Sequence, residues 1–114
     1  MYREKFKVIT LCGSPIFKRY FDKISERLTT EGNVVLTLGS FGISCDQVGF
    51  IKMTSDIQKI LNDTQKAKIE MSDEIFVINP YGHITEEFVK SDIRYAQELG
   101  KPIKYLVDPN LDYT

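Results

Sequence analysis

The chain has 114 residues, 42% hydrophobic and 27% charged, enough for one globular domain around one core and too little for a second. Fifteen Lys and Arg stand against sixteen Asp and Glu, a formal charge of −1, so no surplus of positive charge exists to hold a phosphate backbone and nucleic acid is not the expected partner. No apolar run approaches the roughly 18 residues that span a bilayer, and Met1 to Lys7 lacks the apolar stretch of a secretory signal, so the expectation is a cytoplasmic protein with no membrane partner.

The first apolar run, Phe6 to Leu11, is short, rich in branched residues and bounded by turn formers, as are Val34 to Leu38, Ile75 to Ile78 and Ile103 to Val107. None alternates cleanly between apolar and polar residues, which predicts strands covered on both faces. Cys12-Gly13-Ser14-Pro15 follows the first run, with Ser14 and Pro15 in the positions of an N-cap and a first-turn proline. Phe17, Tyr20, Phe21, Ile24 and Leu28 then fall on one stripe of a helix that Gly32-Asn33 ends.

After the second strand comes a connection from Gly39 to Met53, with three glycines and the apolar residues Phe41, Ile43, Val48 and Phe50. A connection of that length in so small a domain is expected to be a lid or disordered. Ile57, Ile60, Leu61, Thr64, Ala67 and Met71 predict a second helix with that stripe on the sheet, and Phe88, Val89, Ile93, Ala96 and Leu99 a third, closed by Gly100 and Lys101-Pro102. The polar tail from Asp108 to Thr114 is expected to fray. Strands alternating with helices over residues 1–114 predict one α/β domain: a small doubly wound parallel sheet of four to five strands, Rossmann-like or flavodoxin-like, with helices on both faces.

In such a sheet ligands bind beyond the carboxyl ends of the strands. That rule selects Cys12 to Pro15, the segment from Gly39, and Asn79-Pro80-Tyr81-Gly82-His83. Gly13 lets the backbone approach a ligand, Ser14 offers a hydroxyl, and a helix start favours an anion, although Gly-Ser-Pro is equally a plain way to begin a helix. Neither GxxxxGK[ST] nor GxGxxG occurs, so ATP hydrolysis and ordinary dinucleotide binding have no support. Glu86 and Glu87 fit electrostatic capping of the third helix. Asp92 precedes Ile93 on the sheet-facing stripe, and a partly desolvated acid there is a candidate nucleophile or base.

His83 reads as a loop residue or an acid-base group, and Cys12 as a small buried residue or a nucleophile. Cys12 and Cys45 read as free thiols, and one histidine without a carboxylate cluster predicts no metal. A phosphoacceptor receiver needs acids at the ends of the first and third strands, which Thr10-Leu11-Cys12 and Ile78-Asn79 do not supply; a flavodoxin needs a longer phosphate loop.

Three stretches carry a further signal: Leu11-Cys12-Gly13-Ser14, Met71-Ser72-Asp73-Glu74-Ile75-Phe76-Val77-Ile78-Asn79, and Asp92-Ile93-Arg94-Tyr95-Ala96 leading to Gly100-Lys101-Pro102. Together they resemble the nucleoside 2-deoxyribosyltransferase superfamily, which includes the 2'-deoxynucleoside 5'-phosphate N-hydrolases, as a divergent member. The resemblance implies a compact α/β domain, a homo-oligomer (dimer or higher), and cleavage or transfer of the N-glycosidic bond of a deoxynucleoside 5'-monophosphate by a carboxylate that attacks the anomeric carbon, without metal or organic cofactor. Carried onto this sequence, Asp92 is the catalytic residue. Gly13, Ser14, Gly82, His83 and Thr85 lie toward the phosphate or sugar, and Tyr81 or Phe41 stacks on the base. Three family positions depart: the nucleophile is Asp92 in place of glutamate, Thr10 stands where many members have tyrosine, and Gln65 where they have aspartate. The departures set a second expectation beside the first, a non-catalytic nucleotide-sensing or regulatory module using the same pocket.

Overall fold

In the computed structural model, which describes residues 1–39 and 54–109, the apolar runs become strands β1 (Val8–Gly13), β2 (Val34–Leu36), β3 (Glu74–Ile78) and β4 (Ile103–Tyr105). The helices are α1 (Lys18–Thr30), α2 (Ser55–Met71) and α3 (Glu87–Glu98). Residues 40–53, with Phe41 and Cys45, and 110–114 lie outside the described residues, and with them most of the expected lid and the tail. The sheet is entirely parallel in the order β2, β1, β3, β4. Ile9 pairs with Val35 on one side and Glu74 on the other, and Gly13 pairs with Ile78. The expected doubly wound α/β architecture is therefore present, with four strands among the described residues.

Side chains alternate across a strand, and here both sides are apolar because helices cover both. Ile9, Leu11, Phe76 and Ile78 pack on Phe21, Ile24 and Leu28 of α1. Cys12, Ile75 and Val77 pack on Ile69 of α2 and on Val89 and Ala96 of α3. The first crossover and the next two thus leave on opposite faces, which places the topological switch point between β1 and β3.

Several boundaries differ from the sequence expectation. β1 begins two residues later and runs through Cys12 and Gly13, because Val8 is where pairing starts: its N–H donates to Asp73 Oδ2 at 2.7 Å and its carbonyl accepts the Asp73 N–H. β2 and β4 end early, at Leu36 and Tyr105. Beyond β4, Leu106 N–H still donates to Val77 O, and the Asn79 side chain takes over by accepting from Val107 N–H and donating to Val107 O. Ser14 caps a three-residue 3-10 turn, Pro15–Phe17, and α1 starts only at Lys18.

The largest correction concerns α2. Its buried residues are Gln65 and Ile69, whereas Thr64 and Ala67 of the expected stripe face outward and Ile60 and Met71 are 54% and 64% exposed. Two polar bonds turn the helix this way: Thr10 Oγ1 donates to Lys68 O at 2.9 Å, and Gln65 Nε2 donates to Leu11 O at 3.1 Å. Tyr20, Phe88 and Leu99, also counted on buried stripes, are each 41% exposed.

Candidate functional site

A cleft of about 640 Å³ opens where β1 ends, between α2 and α3. Gly13 and Pro15 contribute from the end of β1, Gln58, Asn62, Gln65 and Lys66 from α2, and Ser91 and Asp92 from α3. Gly13 has φ +156°, and a methyl group there would lie 3.0 Å from Ile78 O and 3.2 Å from Phe21 Cζ, so only glycine lets β1 leave the sheet at this point.

Asp92 is buried at 6% exposure, and Lys66 Nζ donates to its Oδ1 at 2.5 Å and to Ser91 Oγ at 3.0 Å. Burial pushes the Asp92 carboxyl above the ordinary range, and the hydrogen bond and charge of Lys66 pull it back in part. Beneath the pair sits Cys12, whose thiol is driven well above its usual range, first by burial and then by the Asp92 charge, against the opposing Gln65 hydrogen bond and Lys66 charge. Such a thiol stays protonated and packs as a small apolar group.

The residues singled out from sequence divide into two places. Gly13 and Asp92 line the cleft together, as the strand-end rule requires, and Pro15 joins them. Ser14 is buried, and both its oxygens are engaged, Oγ with Ile16 N–H and the carbonyl with Phe17 N–H. Because Pro15 has no N–H, this turn holds few donors for an anion.

Tyr81, Gly82, His83 and Thr85 lie outside the cleft lining. Tyr81 is 67% exposed and meets Phe17 edge to face at 5.8 Å between ring centres; His83 and Thr85 are exposed. Gly82 has φ +88° and closes a turn with Asn79, donating its N–H to Asn79 O and accepting from Asn79 Nδ2. Phe41 lies outside the described residues. Of the two capping acids, Glu86 precedes the helix without a side-chain cap and Glu87 pairs with Arg94 at 3.5 Å.

Thr10 and Gln65 are both spent holding α2 on β1. In the Asp-x-x-Tyr-Ala stretch, Tyr95 OH donates to the Glu70 carboxylate and so ties α3 to α2, while Ala96 is fully buried against the sheet. Ser72 and Asp73 of the second stretch sit at the opposite end of the sheet, where Ser72 Oγ donates to Ile69 O and Lys101 Nζ donates to Ser72 O.

Sequence reasoning missed Lys66 and Ser91. Ser91 adjoins Asp92, and Lys66 becomes visible only once α2 is rotated to bury Gln65 and Ile69, which swings the next residue toward α3. No group of three or more His, Cys, Asp or Glu among the described residues is placed to hold a metal ion, and no helix among them is long and apolar enough to cross a membrane. No protein-family model matches the chain, and no curated protein matches it.

Proposed function

We propose that the cleft between α2 and α3 binds a nucleoside or nucleotide and that Asp92 acts on its N-glycosidic bond. The observation that carries the reading is the presence of Asp92, desolvated and held by Lys66, in the same cleft as the strand-end glycine Gly13. Asp92 Oδ1 is taken by Lys66, and Oδ2 accepts no hydrogen bond from a described residue. In the proposed reaction Oδ2 attacks the anomeric carbon as its bond to the base nitrogen breaks. The base leaves with that electron pair and takes a proton from solvent, and water then hydrolyses the glycosyl ester.

The amides of Gln58 and Asn62, linked by a 3.0 Å hydrogen bond, offer donors and acceptors to a base edge. Three acids, Asp63, Glu87 and Asp92, and three bases, Lys66, Lys68 and Arg94, line the cleft. Each base is engaged: Lys66 with Asp92, Arg94 with Glu87, and Lys68 with Thr37 O at 2.8 Å. That balance favours an uncharged nucleoside over its 5'-monophosphate, whose extra charge finds no free cation among the described residues that line the cleft. In this reading the protein is cytoplasmic and a homo-oligomer, with the outward Ile60 and Met71 of α2 as available apolar surface.

The second reading, a module that senses the same ligands without turning them over, is favoured by the commitment of Thr10 and Gln65 to backbone carbonyls. Incubation with the four deoxynucleosides and their monophosphates, with chromatography for free base and thermal shift for binding, separates the two. Base released by wild type and abolished in Asp92→Asn supports catalysis; stabilisation without base supports sensing; neither response overturns both.

A further inference from the structure

The Lys66 ammonium, on α2, touches two adjacent polar residues that α3 places in the cleft, Ser91 and Asp92. We infer that Lys66 is a positioning residue, fixing Asp92 and Ser91 so that Asp92 Oδ2 and the Ser91 hydroxyl hydrogen are presented side by side to the sugar of a bound nucleoside, an inference that rests on the reading of the cleft given above.

An ammonium has three hydrogens and no lone pair, so it can only donate. Its bond to Ser91 Oγ occupies an acceptor site on that hydroxyl and leaves the O–H free to donate elsewhere. Its bond to Asp92 Oδ1 selects which carboxylate oxygen remains open. One cation on α2 thereby sets a donor and an acceptor on adjacent residues of α3, the pairing that a sugar hydroxyl, itself both donor and acceptor, requires.

The charge matters as much as the geometry. Lys66 is the cation in contact with Asp92; from β1, Cys12 faces it as a neutral thiol, which in turn accepts from the neutral Gln65 amide of α2. Of the other charged cleft residues, Asp63 is paired with Lys59 at 2.6 Å, Arg94 with Glu87, and Lys68 holds Thr37 O. Removal of the Lys66 charge leaves the burial of Asp92 unopposed, so its proton is held to higher pH.

The test follows the Asp92 side-chain carboxyl carbon by NMR against pH in ligand-free full-length protein, with the resonance assigned through Asp92→Asn. In Lys66→Gln, which keeps a donor and loses the charge, the Asp92 midpoint is expected to rise by about one pH unit or more, while Lys66→Arg stays near wild type. In wild type the Lys66 side-chain nitrogen should shift with the same midpoint as Asp92, a readout that needs no substituted protein to fold.

Calorimetric titration with deoxyadenosine at neutral pH should then show binding weakened on the order of tenfold in Lys66→Gln and restored in Lys66→Arg. An unmoved Asp92 midpoint in Lys66→Gln, or a Lys66 nitrogen that does not respond to Asp92, overturns the inference. A wild type that binds no deoxynucleoside overturns the reading of the cleft instead, and the titration still decides the role of Lys66.

Discussion

Lys66 Nζ lies 2.5 Å from Asp92 Oδ1 and joins the second helix to the third at the mouth of a cleft, with the carboxylate 8% exposed and the lysine 29%. Such a pair is poor evidence for stability, because removing two charges from water costs about as much as their attraction returns. Its placement at a strand-end cleft fits a chemical use better than a structural one.

A carboxyl whose folded value lies above its ordinary 3.8 binds its proton more tightly in the folded chain, so its favourable contribution is present at low pH and lost as pH rises through the folded value. Asp92→Asn should therefore match wild type most closely at low pH and gain on it toward neutrality. Urea melts from pH 4 to 8 measure this. An Asn variant whose deficit grows with pH contradicts it.

The rotation of α2 predicts unequal costs for two neighbouring apolar residues. Ile69→Ala should lose about 2–5 kcal/mol, since Ile69 is fully buried against Cys12, Ile75 and Val77, whereas Met71→Ala should stay within about 0.5 kcal/mol. Equal losses in chemical denaturation would restore the stripe expected from periodicity.

Gly13→Ala should cost about 2–4 kcal/mol, from the disfavoured φ and the close approach to Ile78 and Phe21. Because the same residue lines the cleft, ligand affinity should fall as well. A variant with unchanged melting temperature would show that β1 can leave the sheet without glycine.

Cys12 should resist alkylation in the native protein and react only on unfolding, its thiol being inaccessible and held protonated. Mass spectrometry of the Cys12 peptide after a pulse of iodoacetamide, with and without urea, reads this directly. Rapid native labelling would place the thiol nearer the cleft than its burial allows.

Much of this fold is legible in the sequence because the core strands are nearly continuous apolar runs, Ile75 to Ile78 unbroken and Ile9 to Cys12 broken by Thr10 alone, which a sheet covered on both faces explains. The helix C-termini were equally readable: Gly100, at φ +70°, donates to Gln97 O, and Lys101 N–H returns to Ala96 O. The face of α2 was not, because two hydrogen bonds from polar residues, Thr10 and Gln65, outweigh an apolar stripe, and periodicity scores polar positions as solvent.

The site was half legible for the same reason. The strand-end rule finds Gly13, and the sheet-facing stripe finds Asp92. Lys66 depends on the rotation of α2, and Tyr81, His83 and Thr85 depend on how the Asn79 turn is tied to Val107, a long-range bond that no local pattern encodes.

We propose that Asp92 meets a nucleoside in the cleft of Gly13 and Lys66. The direct test is chromatographic detection of free base after incubating wild type and Asp92→Asn with deoxynucleosides, with calorimetry on the same samples. Heat of binding is expected from both proteins, and base from wild type alone. Neither heat nor base from wild type with any of the four deoxynucleosides or their monophosphates would contradict it.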